Sequence, residues 1–128
     1  MRKILFFCLL LMNLGIFAQE KSATTDYVIL MSDLNMADAV MQVATSEFRD
    51  GHFRIVFYGP ALRELNDDKL QTFRDYAMKY KVELAVCKLS MQKLGLKKTD
   101  IPERMEVVEN AFTDALRLQQ KGYLQLRL

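Results

Sequence analysis

Apolar positions along the chain follow two different spacings. Five short runs are mostly apolar: Tyr27 to Met31, Phe53 to Tyr58, Val82 to Val86, Met105 to Val108 and Tyr123 to Leu128. The first, continuous and partly β-branched, predicts a strand covered on both faces; the next three predict strands, and the last alternates apolar with polar and predicts a strand at a sheet edge. Between them apolar residues recur every three or four positions, the helical spacing. Asn35 is placed to cap the first helix, with Met36, Val40, Val43 or Ala44, and Phe48 on one face and Asp50-Gly51 as its stop. Asn66-Asp67-Asp68 precedes a second helix bearing Leu70, Phe73, Ala77 and Tyr80, and its acids suit a positive helix start. Ser90 is placed to cap a short helix, Met91 to Leu94, closed by Gly95. Asn110 leads into a fourth, with Phe112, Ala115, Leu116 and Gln119 facing the core and Gly122 beyond its end.

Each connection between strands is long enough for a helical crossover, so the strands should run parallel. The pattern predicts a three-layer α/β/α domain over residues 27–128, with a mostly parallel sheet of about five strands. There is no internal repeat and no low-complexity segment.

Ahead of the domain the pattern changes. Met1-Arg2-Lys3 is positive, Ile4 to Phe17 is almost unbroken apolar sequence, and Ala18 is followed by Gln19-Glu20-Lys21-Ser22. That is the layout of a signal peptide over residues 1–18, with a short linker over 19–26. The apolar run is shorter than a bilayer span requires, which sets the cleaved signal above an uncleaved anchor and leaves no stable membrane span after cleavage. Bulky Phe6 and Phe7 before Cys8, within the run, disfavour a lipoprotein site. The expectation is an exported protein, periplasmic or secreted. Its charge then changes too: without Arg2 and Lys3 the chain keeps 16 basic against 16 acidic side chains, so the formal net charge of +2 belongs to the leader. Basic and acidic residues are interleaved, which argues against nucleic acid as a partner.

Export sharpens the interest of Cys87. Exported cysteines normally pair, yet Cys87 has no intramolecular partner once Cys8 is removed. It closes the third strand, and in open parallel sheets ligands bind beyond the carboxyl ends of the strands. Four loops should meet there: Ser32 to Asn35, Gly59-Pro60, Cys87 to Ser90, and Glu109-Asn110. A helix starting just after Cys87 would favour a thiolate, and Lys88 adds a positive charge. Equally, a free cysteine is among the most buried residue types, and Cys87 could be inert core. Asp33 and Glu109 could flank the thiol or simply solubilise their loops. His52, the single histidine, belongs to a turn on the opposite rim, so a Cys-His pair is not expected. There is no Cys/His metal cluster, no Gly-rich phosphate loop, and no histidine base for Ser32 or Ser90. No cofactor and no metal are expected.

The stretch "VELAVCKLSMQKLGLKKTDIPERMEVVENAF", Val82 to Phe112, resembles the DsrE/DsrF-like sulfur-relay family: an apolar strand, a cysteine, a serine three residues on, a Leu-Gly pair, an "EVV" strand and a helix. "FRIVFYGPALREL" is similar to that family's second strand and turn, and "QKGYLQL" to its last glycine and strand. The resemblance covers roughly Tyr27 to Leu128. It implies a small α/β/α fold that assembles into trimers or hexamers. It also implies that Cys87 carries sulfur as a persulfide between donor and acceptor proteins, with Ser90 capping the helix or bonding the sulfur. Supporting roles would fall to Lys88, Asp33, Asn35, Gly59 and Asn110. Two features depart from the family. Lys88 stands where glycine is common, and the relay members are cytoplasmic. A non-catalytic exported binding or assembly module with the same fold is the alternative.

Overall fold

The computed structural model describes residues 25–46 and 51–128. The signal at 1–18, most of the linker, and the first helix's expected end at Phe48 and Asp50 lie outside the described residues. Five parallel strands form one sheet: β1 (Tyr27–Met31), β2 (Phe53–Phe57), β3 (Glu83–Cys87), β4 (Glu106–Val108) and β5 (Leu124–Arg127), in the order β4-β3-β2-β1-β5. Four α-helices connect them: α1 (Ala37–Ser46), α2 (Gln71–Lys79), α3 (Lys88–Leu94) and α4 (Ala111–Gln120). The α/β class and the parallel sheet are as the apolar runs imply.

Handedness decides which helix lies on which face. From β1 to β4 every crossover steps to the neighbouring strand in one direction; from β4 to β5 the chain crosses back to the opposite edge. Because parallel crossovers are right-handed, a reversal of direction moves the connecting helix to the other face. The three forward connections accordingly pack on Ile29, Met31, Ile55, Phe57 and Val86, while α4 alone packs on Val28, Leu30, Val56, Ala85, Cys87 and Val108.

Several local expectations need correction. Asp33, not Asn35, provides the cap before α1: its carboxylate accepts the Asn35 N–H at 2.9 Å at the start of a 3-10 turn, Leu34–Met36. The second helix opens with a 3-10 turn, Asp68–Leu70, and Tyr80 ends it exposed instead of facing the core. Helix α3 starts at Lys88, directly after the strand, so Cys87 holds the cap position and Ser90 lies inside the first turn. Gly95 closes α3 at φ +67, as a left-handed cap requires. In α4, Asn110 caps as expected, its side chain accepting the Phe112 N–H at 2.9 Å. The buried face of α4, however, is Ala111 and Ala115, not Phe112 and Leu116. Small side chains let the helix axis come close to the sheet, and the two larger ones are turned out, 42% and 59% exposed. Leu124 and Leu126 on the edge strand β5 are likewise 53% and 52% exposed.

Candidate functional site

Strands β3 and β4 are neighbours in register, Cys87 beside Val108, yet α3 leaves on one face and α4 on the other. Two chains diverging from adjacent strand ends leave a crevice between them, the switch point at which open α/β sheets bind ligands. Cys87 sits at that point. Its side chain is on the α4 face, and the Ala111 N–H donates to its Sγ at 3.4 Å. Burial pushes the thiol up; hydrogen bonds from the Ser90 hydroxyl and from the backbone N–H groups of Ala111, Ser90 and Leu89 pull it further down, so it titrates below the ordinary thiol range. These donors come from the first turns of both helices, groups that helix geometry leaves without intrahelical partners.

Ser90 is held to this task from the other side. Its Oγ accepts the Gly59 N–H at 2.9 Å, which joins the β2 turn to α3 and leaves the hydroxyl proton to face the sulfur. Gly59 takes φ +58, a left-handed conformation that glycine adopts without a Cβ penalty. With only 3% of the residue exposed, Cys87 is nevertheless part of the wall of a cavity of about 400 Å³. Exposed Pro60, Arg63 and Lys93 also line that cavity, so it reaches solvent. The two readings of Cys87 thus meet in one geometry: a covered sulfur at the floor of an opening.

Of the candidate residues, Cys87, Ser90, Gly59 and Asn110 come together at this cavity. The others do not line it. Lys88 Nζ pairs with Glu109 at 2.9 Å, linking the first residue of α3 to the residue before the Asn110 cap of α4. Asp33 and Asn35 are occupied with each other at the cap before α1, and the Ser32–Asn35 loop supplies none of the lining residues. His52 lies on the opposite rim, as its turn implies, with Nδ1 3.9 Å from Glu83.

Some residues had no sequence signal. Arg63, Lys93, Leu89 and Phe112 line the cavity through tertiary packing alone. Tyr58 lines it too, and Arg127 donates to its hydroxyl at 3.0 Å while the guanidinium stacks over the rings of Tyr58 and Phe112. Burial pushes the Tyr58 phenol up, but hydrogen bonds with Ser32 and Arg127 and the Arg127 charge leave it below its usual value. A further cluster lies at the other end of the sheet. Arg54, 8% exposed, donates to Asp114 at 3.0 Å, Glu106 at 2.8 Å and Glu83 at 3.3 Å. Its guanidinium lines a larger cavity of about 540 Å³ that holds no nucleophilic thiol. A single arginine inside "FRIVF" is the sequence sign of that cluster.

The profile of the DsrE/DsrF-like family matches residues 12–128. The chain belongs to that family. Solved structures agree on the fold of this DsrE/DsrF-like protein. A protein of unknown function from Methanobacterium thermoautotrophicum superposes with a TM-score of 0.68 at 16% identity, covering 80% of this chain and 100% of its own. A conserved protein of unknown function from Bacteroides thetaiotaomicron gives 0.65 at 17% identity, covering 86% and 100%. The ychN protein of E. coli gives 0.61 at 11% identity, covering 81% and 99%. No curated protein matches the chain. At these identities the likeness is one of fold, and the DsrE-like sheet and its helices are what it supports.

Proposed function

We propose that this DsrE/DsrF-like protein carries sulfane sulfur, or exchanges thiols, through Cys87. One observation supports this reading above the others: the Cys87 sulfur is surrounded by hydrogen-bond donors from two helix starts and from Ser90, on the floor of a cavity open to solvent. The Cys87 thiolate attacks the outer sulfur of a donor R–S–S–H. A new S–S bond forms at Cys87, the old one breaks, and its electron pair leaves on R–S⁻. An acceptor thiolate then attacks the outer sulfur of Cys87–S–S–H and frees Cys87 in the same way. No outside oxidant or reductant is needed, because sulfur moves between equivalent partners. A sulfane-sulfur donor and an acceptor thiol are the partners this reading calls for. We also propose export, to the periplasm or beyond, on the strength of the leader pattern at residues 1–18, and self-association through the apolar residues turned outward on α4 and β5.

A second reading is favoured by that same surface: a non-catalytic assembly module in which Cys87 is core. The two separate in one experiment. Native protein is labelled with iodoacetamide across a pH series and the peptide containing Cys87 is read by mass spectrometry. A reactive Cys87 is alkylated with a midpoint below that of a free thiol. Resistance to labelling at every pH short of unfolding leaves the assembly module standing.

A further inference from the structure

We propose that the cavity over Cys87 selects a low-molecular-weight donor, a small persulfide bearing a carboxylate. This inference rests on the sulfur-carrier reading of Cys87 and adds to it the class of donor. Charge is the first argument. Arg63 and Lys93 line the cavity, and no carboxylate does so among the described residues. Neither cation is ion-paired among the described residues; nearby Lys88 is the one neutralised, by Glu109. The cavity around Arg54 is a contrast within the same molecule, since Asp75, Glu83, Glu103 and Glu106 line it together with three arginines. Two uncompensated cations at the mouth of a concave, partly apolar site raise the local concentration of anions and orient them.

Size and depth give the second argument. About 400 Å³ lies within the range of small-molecule sites, roughly 300 to 1,000 Å³. The sulfur is at the bottom, in a residue 3% exposed, where the convex surface of a folded donor does not reach without rearrangement. A donor of a few heavy atoms does. Its persulfide end can reach Cys87 while its carboxylate meets Arg63 or Lys93, because all three residues line the one cavity. Transfer is the balanced exchange given above, with R–S⁻ leaving as a small thiolate that takes a proton from water.

The test uses three persulfides of similar length and different charge, made from 3-mercaptopropionate, 2-mercaptoethanol and cysteamine. Each rate of Cys87 loading, read by mass spectrometry on the Cys87 peptide, is divided by that donor's rate with dithiothreitol to remove intrinsic reactivity. The expected order is anion, neutral, cation, with about tenfold between the ends at low salt and less at high salt. An Arg63→Gln, Lys93→Gln double variant, changed only at exposed positions, should flatten the order of the three normalised rates. Equal normalised rates for all three donors, or an order unchanged in the double variant, overturn the inference and leave the carrier reading intact. Failure of every donor, inorganic hydrogen persulfide included, overturns the carrier reading itself.

Discussion

The Gly59 N–H donates to Ser90 Oγ at 2.9 Å, and through that contact the turn after β2 sets the direction in which Ser90 offers its own proton to Cys87. The relationship makes Ser90 a positioning residue for the thiolate. Ser90→Ala removes the hydroxyl and leaves the part-buried Gly59 N–H without its acceptor. The expected cost in stability is about 1 kcal/mol. Alongside it the midpoint of Cys87 alkylation moves to higher pH, whereas Ser90→Thr, which keeps the hydroxyl, restores it. Denaturant unfolding and the alkylation profile check the two effects separately.

The depressed titration of Cys87 ties stability to pH. The folded thiol loses its proton at lower pH than the unfolded one, which titrates at about 8.5. Below the folded value both states are protonated and the group contributes nothing. Through the interval between the two values the unfolded state binds more protons, so stability rises with pH, and the full contribution is present above about 8.5. Under reducing conditions wild type should therefore gain on Cys87→Ser in unfolding free energy as pH goes from about 6 to about 9. A gap that stays constant or shrinks over that range contradicts the assigned direction.

Arg54 holds three acidic residues on the face covered by α4. Despite burial, its bonds to Glu106 and the charges of Asp114 and Glu106 raise the guanidinium above its ordinary value. Removing a buried partner from a charge cluster typically costs 3–5 kcal/mol, but Glu83 and Glu106 are partly hydrated. Arg54→Met should therefore destabilise by about 2 kcal/mol in chemical denaturation. The site at Cys87 is at the other end of the sheet, so the alkylation midpoint of the folded variant should not move.

Outward-turned leucines on α4 and β5 underlie the proposed self-association. Light scattering at micromolar concentration should give a mass above the monomer. Leu116→Glu and Leu126→Glu, both at positions exposed in the single chain, should each lower that mass wherever the leucine is covered by a second copy. A monomeric wild-type protein removes the proposal.

The strands are legible in the sequence because a parallel strand buried on both faces requires a largely apolar run, as 27–31 displays throughout and 53–57 displays but for Arg54. Strand order is not legible. Either direction of crossover satisfies the same pattern, so the reversal that brings Asn110 and Ala111 beside Cys87 appears only in the folded sheet. The position of Cys87 at a strand end is readable; its cover and its cavity are not. Helix α4 shows a second limit. Phe112 and Leu116 carry the stronger hydrophobic signal, yet close packing selects Ala111 and Ala115. Arg54 is visible as a polar exception in an apolar run, but its partners at 83, 106 and 114 lie on three other elements, and only the register joins them.

Sulfur loading of Cys87 tests the central claim most directly. Purified protein, fully reduced, is incubated with inorganic polysulfide, and the peptide containing Cys87 is weighed by mass spectrometry. The account predicts one added sulfur on the Cys87 peptide, removed by excess thiol and absent from Cys87→Ser. An unchanged Cys87 peptide in native protein that takes up sulfur only after unfolding contradicts it.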